Sequence, residues 1–346
     1  MILCPVPERK NIMSKDPLLV TVTRGGYVES THLVDVVVAD EAGDVVQSFG
    51  KQDDEIFPRS ANKALQALPL VESGAADAFG FDEAHLALAC SSHNGEHVHV
   101  ENATAMLRLA GLDQTCLECG AQLPKRAEDQ AEMVRAGIPV GAIHNNCSGK
   151  HAGFVAFAKY AGFPVSDYIQ LKHPVQREIA SVLTDVTAFP HTEENHGIDG
   201  CSIPTYRMPL LSLAVAFAKF GVGNDPSQSR SKAMIKLRDA CMKHPYMVAG
   251  KDRVCTQVME ALPGRAFVKV GAEGVYTACL PEKGLGIAMK ARDGNFRAVE
   301  VAVTDVIRKH LVLDDAELAR LDPLSRPLLK NWNGIEVGSI RVTSPS

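Results

Sequence analysis

AFVKVGAEG, residues 266–274, reads as a β-strand: Phe267, Val268 and Val270 suit a pleated, half-buried surface, and Gly271 and Gly274 punctuate its end. VYTACL (275–280) and GLGIAMKARDGN (284–295) look like further strands joined by Gly- and Pro-containing turns, and a helix follows around Ala298 to Leu311. At the opposite end, LLVTVTRGG (18–26) and LVDVVVAD (33–40) are rich in β-branched residues, which predicts two strands between Leu18 and Asp40. The middle has a different period. Ala103, Met106, Leu107 and Ala110 recur at helical spacing, as do Val175, Ile179, Val182, Leu183 and Val186. Shorter helices are expected from about Glu128 to Ala136 and around Met234, Leu237 and Cys241. With no internal repeat or low-complexity linker, the pattern predicts an α+β fold. A mixed sheet is built from both chain ends (1–59 and 263–346), and a mostly helical domain (60–262) is inserted between them.

The 346 residues are 46% hydrophobic and 22% charged, the balance of a globular chain. A net charge of −5 provides no overall positive field for nucleic acid, so a small-molecule substrate is the expectation. Pro5 and Pro7 interrupt the stretch that a signal peptide would keep apolar, and PLLSLAVAFAKFG (209–221) is too short for a membrane span of about twenty residues. A cytoplasmic protein is therefore expected, with no membrane partner. The nine cysteines (4, 90, 116, 119, 147, 201, 241, 255 and 279) are odd in number and scattered, as reduced thiols are.

Three short motifs stand in chain order. FPRSANK (57–63) carries Ser60-x-x-Lys63 just where Ala64, Leu65 and Leu68 open a helix, so the hydroxyl and the amine share one face. CSSHNGEH (90–97) carries Ser92-His93-Asn94, and the strand at 266–274 carries Lys269-Val270-Gly271. Ser-x-x-Lys, Ser-x-Asn and Lys-x-Gly in that order mark the β-lactamase and penicillin-binding group of acyl-transfer enzymes. A neutral lysine can take the proton from a serine hydroxyl, and a second cation such as Lys269 helps to keep it neutral. A serine in the first turn of a helix also has free backbone N–H groups that favour negative charge developing on oxygen. The structural alternative is that Ser60 caps the helix and Lys63 is solvated.

Together with TRGGYVESTH (23–32), FPRSANKALQALPLVESGAAD (57–77), ECGAQLP (118–124), NNCSGKHAGF (145–154), GIDGCSIPTY (197–206) and KVGAEGVY (269–276), these motifs resemble the bacterial L-asparaginase II family of the Rhizobium etli type. The resemblance runs from about Arg24 to about Asn295 and implies a serine β-lactamase-like fold, hydrolysis of L-asparagine to L-aspartate and ammonia, and a homodimer. The family's two Ser/Lys pairs fall on Ser60 with Lys63 and on Ser92 with Lys269. Its zinc ligands fall on Cys147, Lys150 and Cys201, with water completing a Zn2+ site. Ala64 departs from an expected proline, and Gln122 from an expected histidine near the substrate pocket.

Spacing alone does not announce that zinc site. Cys201 lies far from Cys147, lysine must lose its proton to coordinate, and His151 is a possible substitute ligand. Cys116-x-x-Cys119 lacks a second close pair and reads as packing cysteines. For substrate binding, Arg59 offers a bidentate fork to an α-carboxylate, Asp199 or Glu96 can take an α-ammonium, and Asn94 can orient either end. The alternatives are surface ion pairs for the charged residues and a turn role for Asn94 ahead of Gly95. Two other functions fit some of the motifs: a β-lactam or peptide acyl hydrolase, and a non-catalytic zinc-stabilised binding protein.

Overall fold

The computed structural model describes residues 12–343; Cys4 and the stretch with Pro5 and Pro7, on which the expectation about export rests, lie outside them. The strand at Phe267–Gly271 forms one edge of a nine-stranded sheet. Moving inward, Val275–Leu280, Leu285–Ala291, Tyr27–Asp40, Leu18–Arg24, Glu336–Thr343 and Leu328–Lys330 follow in antiparallel order. Val45–Phe49 also pairs with Tyr27–Asp40, and Ile12–Ser14 joins it in parallel, which makes the sheet mixed. Every strand in this sheet lies within residues 12–49 or 267–343.

Val275–Leu280 is buried at every position and Leu285–Ala291 at all but one, so both faces of these strands are covered. Consecutive strand residues point to opposite faces, hence the near-continuous apolar run in place of alternation. The helices Leu210–Val222 and Phe296–His310 supply that cover. The first approaches closely because residue 286 is glycine: a Cβ there would lie 2.0 Å from the Ala214 carbonyl oxygen. Further helices, including His97–Leu109, Ser148–Tyr160, Pro174–Thr187 and Gln228–Lys243, build the region between the two groups of strands. The apolar segment 209–221 falls on the largely buried helix Leu210–Val222, and among the described residues no helix is long and apolar enough to cross a membrane.

Candidate active site

Ser60 sits in a tight 3-10 turn, Arg59–Asn62, which leads into the short helix Lys63–Gln66. Arg59 adopts φ +51°, a left-handed conformation that costs a non-glycine residue energy and marks the turn as held by its surroundings. The edge strand does the holding. A Cβ on Gly271 would lie 2.5 Å from the Pro58 carbonyl oxygen and 2.9 Å from the Ala61 nitrogen, so only glycine lets the strand press against the turn. From the next strand, the Thr277 hydroxyl donates to the Ala61 carbonyl at 2.9 Å.

Lys63 does not donate to Ser60. Its amine donates to the Ser91 carbonyl (2.5 Å), the Ser92 hydroxyl (2.9 Å) and the Cys147 sulfur (3.0 Å), which uses all three ammonium donors. Lys269 Nζ lies 2.8 Å from the same Ser92 hydroxyl and 2.8 Å from the Val270 carbonyl. Ser92 therefore bridges the two lysines, whereas the Ser60 hydroxyl has no hydrogen-bond partner among the described residues. Lys63 and Lys269 are 0% and 1% exposed, rare for lysine unless it is paired. Burial, reinforced by the Lys63 charge, pulls the Lys269 pKa down to about 7.

Two cavities meet at Ser60, Gln122, Asn146 and Ala272. One, of about 260 Å³, is lined by Ser92, Asn94, Lys125, Arg253 and Phe296. The other, of about 410 Å³, is lined by Arg59, Asp199 and the thiols Cys119, Cys147 and Cys201. Arg59 and Asp199 pair with each other there, Nε to Oδ1 at 2.6 Å, with Asp199 almost wholly buried. Burial works against the Asp199 charge, yet Lys150 and Arg59 hold its pKa below the usual carboxylate value.

Asn94 and Glu96 face more protein than cavity. The Asn94 amide donates to Glu96 Oε1 (2.9 Å) and the Lys251 carbonyl (3.0 Å), and its oxygen accepts from Arg253 Nη1 at 3.1 Å. Glu96 lines neither cavity, and both its oxygens are engaged, Oε1 by Asn94 and the Lys251 N–H and Oε2 by the Tyr246 hydroxyl. It braces Asn94 from behind. Arg253 and Lys125 line the cavity beside Ser92 and belong to none of the sequence motifs; Asn146 lies within NNCSGKHAGF but was not singled out there.

Lys150, at the start of the Ser148–Tyr160 helix, donates to the Cys201 sulfur at 3.0 Å. Hydrogen bonding from Cys147, with Lys150 nearby, brings the Cys201 thiol down to about 5, and the same contact pushes Cys147 up to about 12. Burial opposes the Lys150 charge, but Cys201 and Cys147 keep its pKa above normal. Among the described residues no three His, Cys, Asp or Glu side chains gather to hold a metal ion. The Cys147 and Cys201 sulfurs and the Lys150 amine are nevertheless donor types that zinc accepts, the amine only once it has lost its proton. His151 is buried, with Nδ1 on the Tyr168 hydroxyl (2.7 Å) and Nε2 unpartnered.

The sequence profile of the L-asparaginase II family matches residues 20–342. The chain belongs to the L-asparaginase II family. Membership in that family supports amidohydrolase chemistry on a small-molecule substrate. No curated protein matches the chain. Among solved structures it is similar to Mglu, with 16% identity over 82% of this chain and 68% of that one at TM-score 0.37. A second structure of Mglu, in its native form at 4.3 M NaCl, gives 17% identity over 82% and 62% at 0.37, so the chain spans about two thirds of that protein's length. It is also similar to a beta-lactamase from Mycobacterium bovis, with 13% identity over 81% and 95% at 0.38.

Proposed function

We propose that this chain hydrolyses L-asparagine to L-aspartate and ammonia through a β-aspartyl ester on Ser60. The observation that carries this reading is the position of the two serines: Ser60 is unpartnered where the cavities join, and Ser92, lining one of them, is bonded to two buried lysines. The Ser60 oxygen attacks the side-chain amide carbon, and its proton passes to Ser92, whose own proton goes to neutral Lys269. Lys63, bonded to Ser92, keeps that hydroxyl oriented and its charge lowers the Lys269 pKa. The relay then protonates the departing nitrogen, and water releases aspartate from the ester.

The zwitterionic head of the substrate fits the Arg59–Asp199 pair. Arg59 retains guanidinium donors beyond the Nε given to Asp199, and Asp199 is the carboxylate lining the cavity beside Ser60. In this reading Cys147, Lys150 and Cys201 hold Zn2+, which supplies positive charge and ties the Cys147 loop to the Asp199 turn. Positioning of Asp199 and Arg59 follows from that tie.

The test is ammonia release from L-asparagine by the chain and its Ser60→Ala and Ser92→Ala variants. Both variants should stay folded by circular dichroism and lose at least about a thousandfold in kcat, the scale of losing a nucleophile or its proton path. Near-normal turnover by folded Ser60→Ala would sink the nucleophile assignment.

A further inference from the structure

The cavity on the Ser92 side has a charge that ammonia does not explain. Arg253 is half-buried in its wall, held by Asn94 Oδ1 at 3.1 Å and the Ser92 carbonyl at 3.4 Å, both through Nη1. Asn94 is itself fixed by Glu96 and the Lys251 carbonyl, so the guanidinium is braced through two layers. Lys125 flanks it, tethered by its backbone N–H to the Asn94 carbonyl at 2.7 Å. Neither cation closes a salt bridge among the described residues. Glu300, which shares an adjoining cavity with both, feels their charge, yet burial still holds its carboxyl above the normal value.

The acyl half of asparagine is accounted for on the other side of Ser60, where Arg59 and Asp199 lie. With that side taken by the acyl half, the space beside Ser60 that remains for the leaving group is the Ser92 cavity. Ammonia is water-sized and needs about 10–15 Å³ on the same measure, whereas this cavity holds about 260 Å³ and presents two cations free of salt bridges among the described residues and the Phe296 ring. A neutral leaving group gains nothing from such a wall.

We propose that the chain also cleaves β-aspartyl amides whose leaving amine carries a carboxylate, and that Arg253, flanked by Lys125, binds that carboxylate. This rests on the Ser60 reading above. The Ser60 oxygen bonds to the isopeptide carbon, and the C–N bond breaks as the nitrogen takes the proton held by the relay, freeing an amino acid. Water then cleaves the β-aspartyl ester and restores the hydroxyl, so that isopeptide and water give aspartate and the amino acid.

The experiment compares β-aspartylglycine with β-aspartylglycinamide, which differ only in the charge of the leaving half, and includes L-asparagine as the control. The wild-type chain should favour the acid over the amide in kcat/KM by roughly ten- to hundredfold, the worth of a charge-assisted hydrogen bond. In Arg253→Gln that ratio should fall towards one, and in Arg253→Lys it should be partly kept. Each ratio is taken within one protein, so general damage to the site cancels. Equal rates on acid and amide in the wild type would overturn the proposal, as would failure to cleave β-aspartylglycine by protein that releases ammonia from asparagine; that second result leaves the asparagine reading standing. Protein inactive on all three substrates would overturn both.

Discussion

Ser92 is a hydroxyl with an amine on either side, and that arrangement sets the pH behaviour of the site. It can accept from Lys63 and hand its proton to Lys269 only when Lys269 is neutral. Burial and the Lys63 charge bring the Lys269 pKa to about 7, so the neutral form gains as pH rises through that value. Activity on asparagine should therefore rise along an acid limb centred within about a unit of pH 7 and level off above it. Lys63→Met should move the limb upward, because the charge that favours neutral Lys269 is gone; a kcat/KM profile that stays flat from pH 5.5 to 8.5 in the wild type would exclude Lys269 as the base. At this scale the sequence was partly legible. The motifs name Ser60, Lys63, Ser92 and Lys269, but residue spacing cannot tell that three acceptors capture the Lys63 amine and leave Ser60 unpartnered. Arg253 carries no local signal, since a single arginine ahead of a helix looks like any other, and its placement depends on contacts more than 150 positions away.

Among the elements, the turn at Arg59–Asn62 and the strand Phe267–Gly271 must touch for the site to exist. The glycine of Lys-x-Gly is what permits it. Gly271→Ala would place a methyl group within 3.0 Å of three atoms of the turn, including two of backbone, and the turn cannot retreat without moving Ser60. The expected cost is about 1–3 kcal/mol of stability, as for other overpacked sites, together with a kcat loss larger than any change in KM. Thermal melting and steady-state kinetics check it, and an unchanged melting temperature with full activity would show that the contact is slack. The strands of this region were readable because they are short, β-branched and bounded by glycine. Glu336–Thr343 was not: Gly338 interrupts its pattern, and it is glycine because a Cβ would lie 1.7 Å from the Thr23 carbonyl oxygen of the neighbouring strand. Leu328–Lys330, of three residues, is too short to show a period.

On the scale of the whole molecule, the site joins parts of the chain that are far apart in sequence: the turn at Ser60, the loop at Ser92, the helix start at Lys150, the turn at Asp199 and the strand at Lys269. Zinc held by Cys147, Lys150 and Cys201 would add one more tie between these parts. Chelation, and equally Cys201→Ser, should then raise KM for asparagine more than it lowers kcat and should lower zinc content and melting temperature together. Stoichiometric zinc in Cys201→Ser would exclude that sulfur as a required ligand. The broad plan, strands from both ends around a helical middle, could be seen in hydrophobic period alone; the meeting of the two cavities at one serine could not, because it depends on the three-dimensional closure of loops. The central claim is that Ser60 carries the acyl group. Acid quench of the enzyme during turnover of L-asparagine, followed by peptide mass spectrometry, tests it most directly: the account predicts a β-aspartyl adduct on the peptide containing Ser60 and none in Ser60→Ala, whereas an adduct on Ser92 would contradict it.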